Sequence, residues 1–298
     1  MITSTNTYHK AVLIDEVLTY LKPEPNKTYL DVTFGGGTHT RALLEAEPTC
    51  TVIAIDWDTK AIEMNAPALK EEFGDRFKIL WGNFAHLKFL LKKEGIEKVD
   101  GILADFGTSQ FQIHHRAGFS FATNTPLDMR MSPAHQIVTA KLILNTACEK
   151  ELIVIFKEYG EEFSARPIAR AIIAQRSIKP FSTTGDLIDV IETVKPRKRD
   201  QPIHPATKVF QALRIIVNKE LDNITAFLSQ AVSLLSPQAR LVCISFHSLE
   251  DRIVKQFFKD QTEDLLIVTP KVITGSAQEI SANPSSRSAK LRAAEKNL

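Results

Sequence analysis

A chain of 298 residues with 44% hydrophobic and 24% charged side chains has apolar material for one large domain or two, and its net charge of +2 argues for nucleic acid only if it is concentrated somewhere. Residues 1–10 are polar and no apolar run reaches a membrane-spanning length, so export and membrane insertion are not expected and the location read from the sequence is cytoplasmic. Cys50, Cys148 and Cys243 lie far apart, which excludes a disulfide framework and the close cysteine pairs of a zinc site.

From Thr28 to Phe106, short apolar runs alternate with amphipathic stretches, the pattern of βαβ units in a parallel sheet. Strands are predicted near Tyr29–Phe34, Thr51–Asp56, Phe77–Leu80 and Gly101–Asp105. Helical spacing over Thr40–Ala46, Thr59–Lys70 and Ala85–Lys93 suits right-handed crossovers between them. After Asp105 the rhythm stops. A turn-rich segment, Gly107–Pro133, leads into helical patterns over Gln136–Tyr159, Pro167–Ser177 and Thr184–Val194. A long amphipathic stretch, Ala206–Leu235, then passes through Ser236-Pro237 into an apolar strand, Arg240–Phe246. The expected fold class is therefore α/β: a doubly wound, Rossmann-like sheet over 1–112 and 208–298, with a helical domain, 113–207, inserted between the fourth and fifth strands.

The insert carries the positive excess, 13 Lys and Arg against 10 Asp and Glu. Arg166 and Arg170 fall four apart on one helix face, Arg176 follows, and Lys195-Pro196-Arg197-Lys198-Arg199 is a compact basic run. A solvated helix face and a charged loop have the same pattern, so charge alone leaves nucleic-acid contact open. The tail from Pro284 to Leu298 adds further positive charge, Arg287, Lys290, Arg292 and Lys296 against Glu295, and its bland reading is a mobile terminus.

Chemistry concentrates at the predicted strand ends. Asp31-Val32-Thr33-Phe34-Gly35-Gly36-Gly37-Thr38-His39-Thr40 sets a glycine cluster between the first strand and a helix, where glycine permits tight dihedrals and lets a ligand approach the backbone. Asp56 ends the second strand, where a carboxylate can hold a ribose hydroxyl pair, so the pocket suits an adenosine-containing cofactor. A nicotinamide dinucleotide is a weak match, because Thr40 stands where the third glycine belongs and Asp31 would repel a pyrophosphate. The same Asp31 attracts an ammonium, which shifts the preference to S-adenosyl-L-methionine. Gly82-Asn83-Phe84 and Asp105-Phe106-Gly107 bring an aromatic ring and a carboxylate to the same edge.

These motifs resemble the bacterial ribosomal RNA small subunit methyltransferase H family, also called MraW, along nearly the whole chain. The resemblance runs from Val12-Leu13-Ile14-Asp15-Glu16-Val17 through the glycine motif, Asp105-Phe106-Gly107-Thr108-Ser109, Arg116-Ala117-Gly118-Phe119-Ser120-Phe121 and Pro126-Leu127-Asp128-Met129-Arg130-Met131. It continues through His204-Pro205-Ala206-Thr207, Phe210-Gln211-Ala212-Leu213-Arg214, Ile244-Ser245-Phe246-His247-Ser248-Leu249-Glu250-Asp251-Arg252 and Arg287-Ser288-Ala289-Lys290-Leu291-Arg292. It implies a Rossmann-like S-adenosylmethionine-dependent methyltransferase that modifies the N4 amine of a cytosine in 16S ribosomal RNA, within the small ribosomal subunit. It also implies a helical insertion, after the fourth strand, that helps to bind RNA. By the same resemblance, Gly37, Thr38 and His39 line the methionine end of the cofactor, Asp56 the ribose and Phe84 the adenine, with Asp105 and Gln112 completing the site.

Thr38, Gln110 and His114 depart from the family pattern near the site, and Pro167 interrupts a stretch usually helical, which suits a first helical turn better than an interior. The Asn or Asp followed by Pro-Pro used by many amine methylases is absent. Asp105 is thus the candidate catalytic group accepting an amine hydrogen bond, with Asp128 and Ser109 behind it as pocket groups, unless Asp128 is simply salt-bridged to a neighbouring arginine. No metal is expected, since methyl transfer needs no activated water. Ser248 and Asp251 have near capping-box spacing, and His247 is divided between pocket lining and core packing. The rival readings are a methyltransferase acting on DNA or a small molecule, a noncatalytic RNA-binding assembly factor and, more distantly, a dehydrogenase.

Overall fold

A computed structural model describes residues 11–108, 112–113, 116–120, 122–198, 200 and 203–298. The chain divides into two compact units, Met1–Ser109 with Leu221–Leu298, and Gln110–Glu220.

The first unit is built on one sheet. Strands β1 (Thr28–Asp31), β2 (Thr51–Asp56), β3 (Phe77–Trp81), β4 (Val99–Asp105), β5 (Leu235–Ser245), β6 (Leu265–Ile267), β7 (Ile273–Thr274) and β8 (Lys290–Lys296) run in the order β3-β2-β1-β4-β5-β8-β6, with β7 also on β8. The first five are parallel, and β8 runs antiparallel to β5, β6 and β7. Its helices are α1 (Ile14–Leu21), α2 (Thr38–Ala46), α3 (Thr59–Phe73) and α4 (Leu87–Lys93) in the N-terminal part. Side-chain alternation divides β1 between two cores, since successive residues of a strand face opposite ways. Leu30 and Val32 join Ile53, Ile55, Ile102, Ala104, Phe227 and Leu228, while Tyr29 joins Val17, Leu21, Leu43, Leu44, Val52 and Leu103. Burial on both faces explains why these strands read as continuous apolar runs.

The first strand ends at Asp31 rather than at Phe34. Its ladder nonetheless continues, with the Val32 N–H donating to the Leu103 carbonyl (3.0 Å) and the Phe34 N–H to the Ile55 carbonyl (3.0 Å), so the glycine turn leaves directly from the sheet. The expectation of a mobile C-terminus is overturned: β8 sits between β5 and β6, with Leu291, Ala293 and Ala294 fully buried. Only three apolar residues between charged ones carry that strand, too few to read in the sequence. Three of its four charges are engaged, Arg292 with Asp251 (2.6 and 3.1 Å), Glu295 with Arg240 (3.0 Å) and Lys296 with Asp264.

The second unit is helical: α5 (Ala140–Thr146), α6 (Glu149–Glu158), α7 (Ala165–Ile178), α8 (Thr184–Val194) and α9 (Thr207–Asn218). They close around Leu144, Leu152, Phe156, Ile168, Ile172, Leu187, Ile191, Val209 and Leu213. The pattern expected over Gln136–Tyr159 is two helices, because the Cys148 N–H donates to Glu151 Oε2 (2.6 Å) and starts a new one. Arg176 Nη1 then donates to the Leu144 and Ala147 carbonyls (3.0 and 2.6 Å), satisfying groups left open where α5 ends. Pro167 lies in the first turn of α7, where its missing N–H costs nothing. The stretch Ala206–Leu235 is likewise two helices, α9 and α10 (Glu220–Leu234), broken where Lys219 takes a positive φ of 52°. Helix α9, expected with the sheet, completes the helical unit's core instead; periodicity shows that a helix has an apolar face, not which core it meets. Helices α11 (Ser248–Asp260) and α12 (Ala277–Ala282) return to the first unit.

Deleting residues 289–298 strips β8 from the interior of the sheet and leaves β5 and β6 without their shared partner. Loss of the cooperative thermal transition, followed by circular dichroism, is the expected result; a melting curve within a few degrees of the intact chain would show that β8 is dispensable.

Candidate active site

Three acids of the first unit gather where β1, β2 and β4 end. Asp31 is fully buried, with Oδ1 accepting the Thr33 N–H (3.1 Å) and Oδ2 the Thr40 hydroxyl (2.7 Å). Burial raises its pKa, with His39 and the Thr40 bond opposing. Asp56 accepts the Gly35 N–H at Oδ2 (2.7 Å) and the Asp58 N–H at Oδ1 (2.8 Å), and burial pushes its pKa up to about 6. It thereby ties the loop after β1 to the loop after β2. Asn65, on α3, donates to the Gly35 carbonyl (3.1 Å), so the other side of the same glycine is also anchored. Nothing in the spacing of Asn65 marks that role; it looks like one more polar position on a helix.

Glycine is required at the turn for a steric reason. Gly37 has a φ of 74°, and a Cβ there would fall 2.9 Å from the Phe34 ring. Gly37 stands immediately before α2, whose first residues Thr38, His39 and Thr40 therefore follow the turn without a break.

His39 is 5% exposed, and its Nε2 lies 3.4 Å from Asp105 Oδ2. Burial acts to lower the His39 pKa, but hydrogen bonding and charge from Asp105, with Asp31 behind, outweigh it and raise it. Both ring nitrogens of His39 and Asp105 Oδ1 are nonetheless buried without a good hydrogen bond among the described residues. Buried polar atoms left open at one spot mark a place where a ligand completes the bonding. The Asp105 N–H donates to the Thr33 hydroxyl (2.7 Å), which fixes the end of β4 against the glycine turn.

Phe84, after β3, packs edge-on against Phe227 (5.7 Å) and tilted against Phe106 (6.0 Å), and is only partly buried. Trp81 pairs in register with Asp56 and donates its indole N–H to the Trp57 carbonyl (3.1 Å), so both tryptophans of the chain lie beside that acid. The structure thus brings together Gly37, Thr38, His39, Asp56 and Asp105 at one sheet edge, with Phe84 at the end of the adjacent strand.

Gln112 belongs to the helical unit, where it is 6% exposed. Asp128, in that same unit, is held by Arg130 through Nε (2.7 Å) and Nη2 (2.9 Å), a fork that lowers its pKa. That pairing answers the expectation of a pocket group with a salt bridge. Ser109, Gln110 and His114 lie outside the described residues. His247 rather than Ser248 caps α11, its Nδ1 accepting the Glu250 N–H (3.4 Å). The cap is one residue earlier than the Ser248–Asp251 spacing implied.

The family model described as the MraW methylase family matches residues 6–297. Ribosomal RNA small subunit methyltransferase H of Thermomicrobium roseum is 45% identical, over 98% of this chain and 94% of that protein. The protein of the same name from Thermotoga neapolitana is 46% identical, over 97% and 96% respectively. Among solved structures, an rRNA methylase from Streptococcus thermophilus aligns over 96% of this chain and 94% of that one, with a TM-score of 0.44 and 9% identity.

Replacing Gly37 with Ala forces a side chain into positive φ and into the Phe34 ring, at a cost of about 1–3 kcal/mol. A lower melting temperature is expected, together with at least about ten-fold weaker S-adenosylmethionine binding by calorimetry. Wild-type affinity in Gly37→Ala would show that the turn is not where the ligand rests.

Proposed function

The chain belongs to the MraW methylase family, and we propose that it transfers a methyl group from S-adenosylmethionine to the N4 amine of a cytosine in 16S ribosomal RNA, acting on the small ribosomal subunit. The observation that carries this reading is the collection of three acids, Asp31, Asp56 and Asp105, around one glycine turn, with open polar atoms on His39 and Asp105. Such a set attracts a ligand bearing sulfonium and ammonium charges and repels a pyrophosphate, which counts against a dinucleotide. The residues therefore fit the cofactor that the family uses.

S-adenosylmethionine supplies a methyl carbon bound to a positively charged sulfur, open to in-line attack by nitrogen. The chain's contribution is placement and charge. Asp56 takes the ribose hydroxyls on lone pairs not used by Gly35 and Asp58. The partly exposed Phe84 ring packs beside the adenine, and the backbone of Gly37 and Thr38 with His39 lines the methionine end. Gln112, in the helical unit, is a candidate for the same ligand by the family resemblance alone.

A cytosine amine is a poor nucleophile, because its lone pair is delocalised into the ring, so orientation and an acceptor for developing positive charge supply much of the rate. Asp105 Oδ1 is that acceptor: it is buried, has no hydrogen-bond partner among the described residues, and is anchored through its residue's N–H to Thr33. His39 Nε2 lies against Oδ2 of Asp105, so Oδ1 is the oxygen left to accept an N–H. The target base must leave its stack to reach this depth, and the RNA around it is held by the helical unit. There Arg166, Arg197 and Lys198 are exposed, whereas Lys195 is committed to buried Glu162 (2.6 Å) and Arg176 to helix carbonyls.

Labelled S-adenosylmethionine incubated with small ribosomal subunits, naked DNA or no acceptor should give label only in 16S RNA, on one cytosine. Label in DNA or in none of them defeats the proposal. In the same assay, Asp105→Asn should lower kcat by about 100-fold or more with little change in KM for RNA; turnover at the wild-type rate removes Asp105 from the chemistry.

Asp56 also sets a pH dependence. Its carboxylate is the form that accepts ribose hydroxyls, and in the ligand-free protein it takes up a proton as the pH falls through about 6. Cofactor affinity should therefore weaken below pH 6 and level off above 7, read by quenching of Trp57 and Trp81. Asp56→Asn should bind weakly at every pH. Equal wild-type affinity at pH 5 and 7.5 would contradict this role.

A further inference from the structure

Among its described residues, the helical unit displays one aromatic ring almost wholly in water. Phe163 is 97% exposed, and what sets it apart from a scattered surface side chain is the rigidity of its turn and the cation over its ring. It stands on the short connection between α6 and α7, and that connection is held rather than loose. Glu162, immediately before the ring, is 3% exposed; its Oε2 takes Lys195 Nζ (2.6 Å), its Oε1 the Ser164 N–H (2.8 Å), and its own N–H donates to the Phe156 carbonyl (3.1 Å). Gly160 packs so closely on α9 that a Cβ would come within 2.6 Å of the Lys208 carbonyl. Glu161 turns the chain outward with a φ of 48°. Every neighbour is fixed, and the ring is left facing solvent.

One side of the ring carries a cation. Lys208 Nζ lies 5.0 Å from the ring centroid while donating to the Glu161 carbonyl (2.8 Å), so the ammonium is positioned by the backbone of the same turn. Arg166, three residues beyond Phe163 and in the first turn of α7, is exposed and makes no ion pair among the described residues. A rigid, exposed ring flanked by uncompensated positive charge has the chemistry of a stacking platform for an unpaired base, with cations for the neighbouring phosphates. An apolar partner protein would need a wider greasy patch and would gain nothing from the cations.

We propose that Phe163 stacks on an unpaired nucleobase of the RNA substrate, with Lys208 and Arg166 meeting the adjoining phosphates. This rests on the reading of the chain as an RNA methyltransferase and adds to it the residue that grips a base other than the one methylated. Phe163 acts on binding and leaves the cofactor site untouched.

The test uses the full chain and fluorescence anisotropy, with a single-stranded RNA oligonucleotide carrying the methylated sequence and a fully paired duplex of the same sequence. Phe163→Ala should weaken single-strand binding about five-fold or more, change duplex binding little, and leave the salt dependence as it was. Phe163→Trp should restore binding and Phe163→Leu should not, since an aliphatic side chain keeps the apolarity and loses the π face. Lys208→Met should instead flatten the salt dependence by about one phosphate contact, a slope change of about 0.7 for single strands. Wild-type binding in Phe163→Ala, or full rescue by leucine, overturns the stacking role. Those outcomes are distinct from failure of the function itself, which would appear as a wild-type chain that methylates no ribosomal RNA and binds none.

Discussion

The Asp56 carboxylate is the joint on which the site depends. By accepting the Gly35 N–H with one oxygen and the Asp58 N–H with the other, it fastens the turn after β1 to the turn after β2. Asn65 holds the opposite side of Gly35, and Asp31 holds Thr33 and Thr40 on either side of the glycines. The turn is therefore shaped before any ligand arrives, and a preorganised site loses little entropy on binding. Burial raises the Asp56 pKa to about 6, and the bonds from Asp58 and Gly35 work against that rise.

Charge serves two purposes in the helical unit. Arg176 closes the end of α5, Lys195 neutralises buried Glu162, and Arg130 holds Asp128; these cations build the unit. Arg166, Arg197, Lys198 and Lys208 remain toward solvent or on its edge. A basic run in a sequence thus mixes structural and available charge, and only partners in space separate them. The Lys195–Glu162 pair shows the link between the two, because burying Glu162 is what fixes the turn that carries Phe163.

The parallel half of the sheet was legible because strands buried on both faces leave unbroken apolar runs at regular intervals, and the acids at their ends follow directly. Unlike His39, which lies inside α2 and came only from the family resemblance, the glycine turn, Asp56 and Asp105 were legible for that reason: each sits at or just beyond a strand end, and parallel topology brings such ends to one edge. Residues acting through the third dimension were not. Asn65 has an ordinary place on an amphipathic helix, and Phe163 is one phenylalanine among 17, distinguished by exposure alone. Strand β8 escaped notice because one leucine and two alanines between charges fall short of a recognisable run, although neighbours on both sides bury them.

By itself, then, the sequence determined the α/β class, the break after Asp105, the glycine turn and the family, since each is written in local order: periodicity, turn chemistry and contiguous motifs. Tertiary structure decided which unit α9 joins, that the last strand lies inside the sheet, which cations are already paired, and where an aromatic ring is left facing water. Those outcomes depend on contacts between residues far apart in the chain, and local pattern carries no record of them.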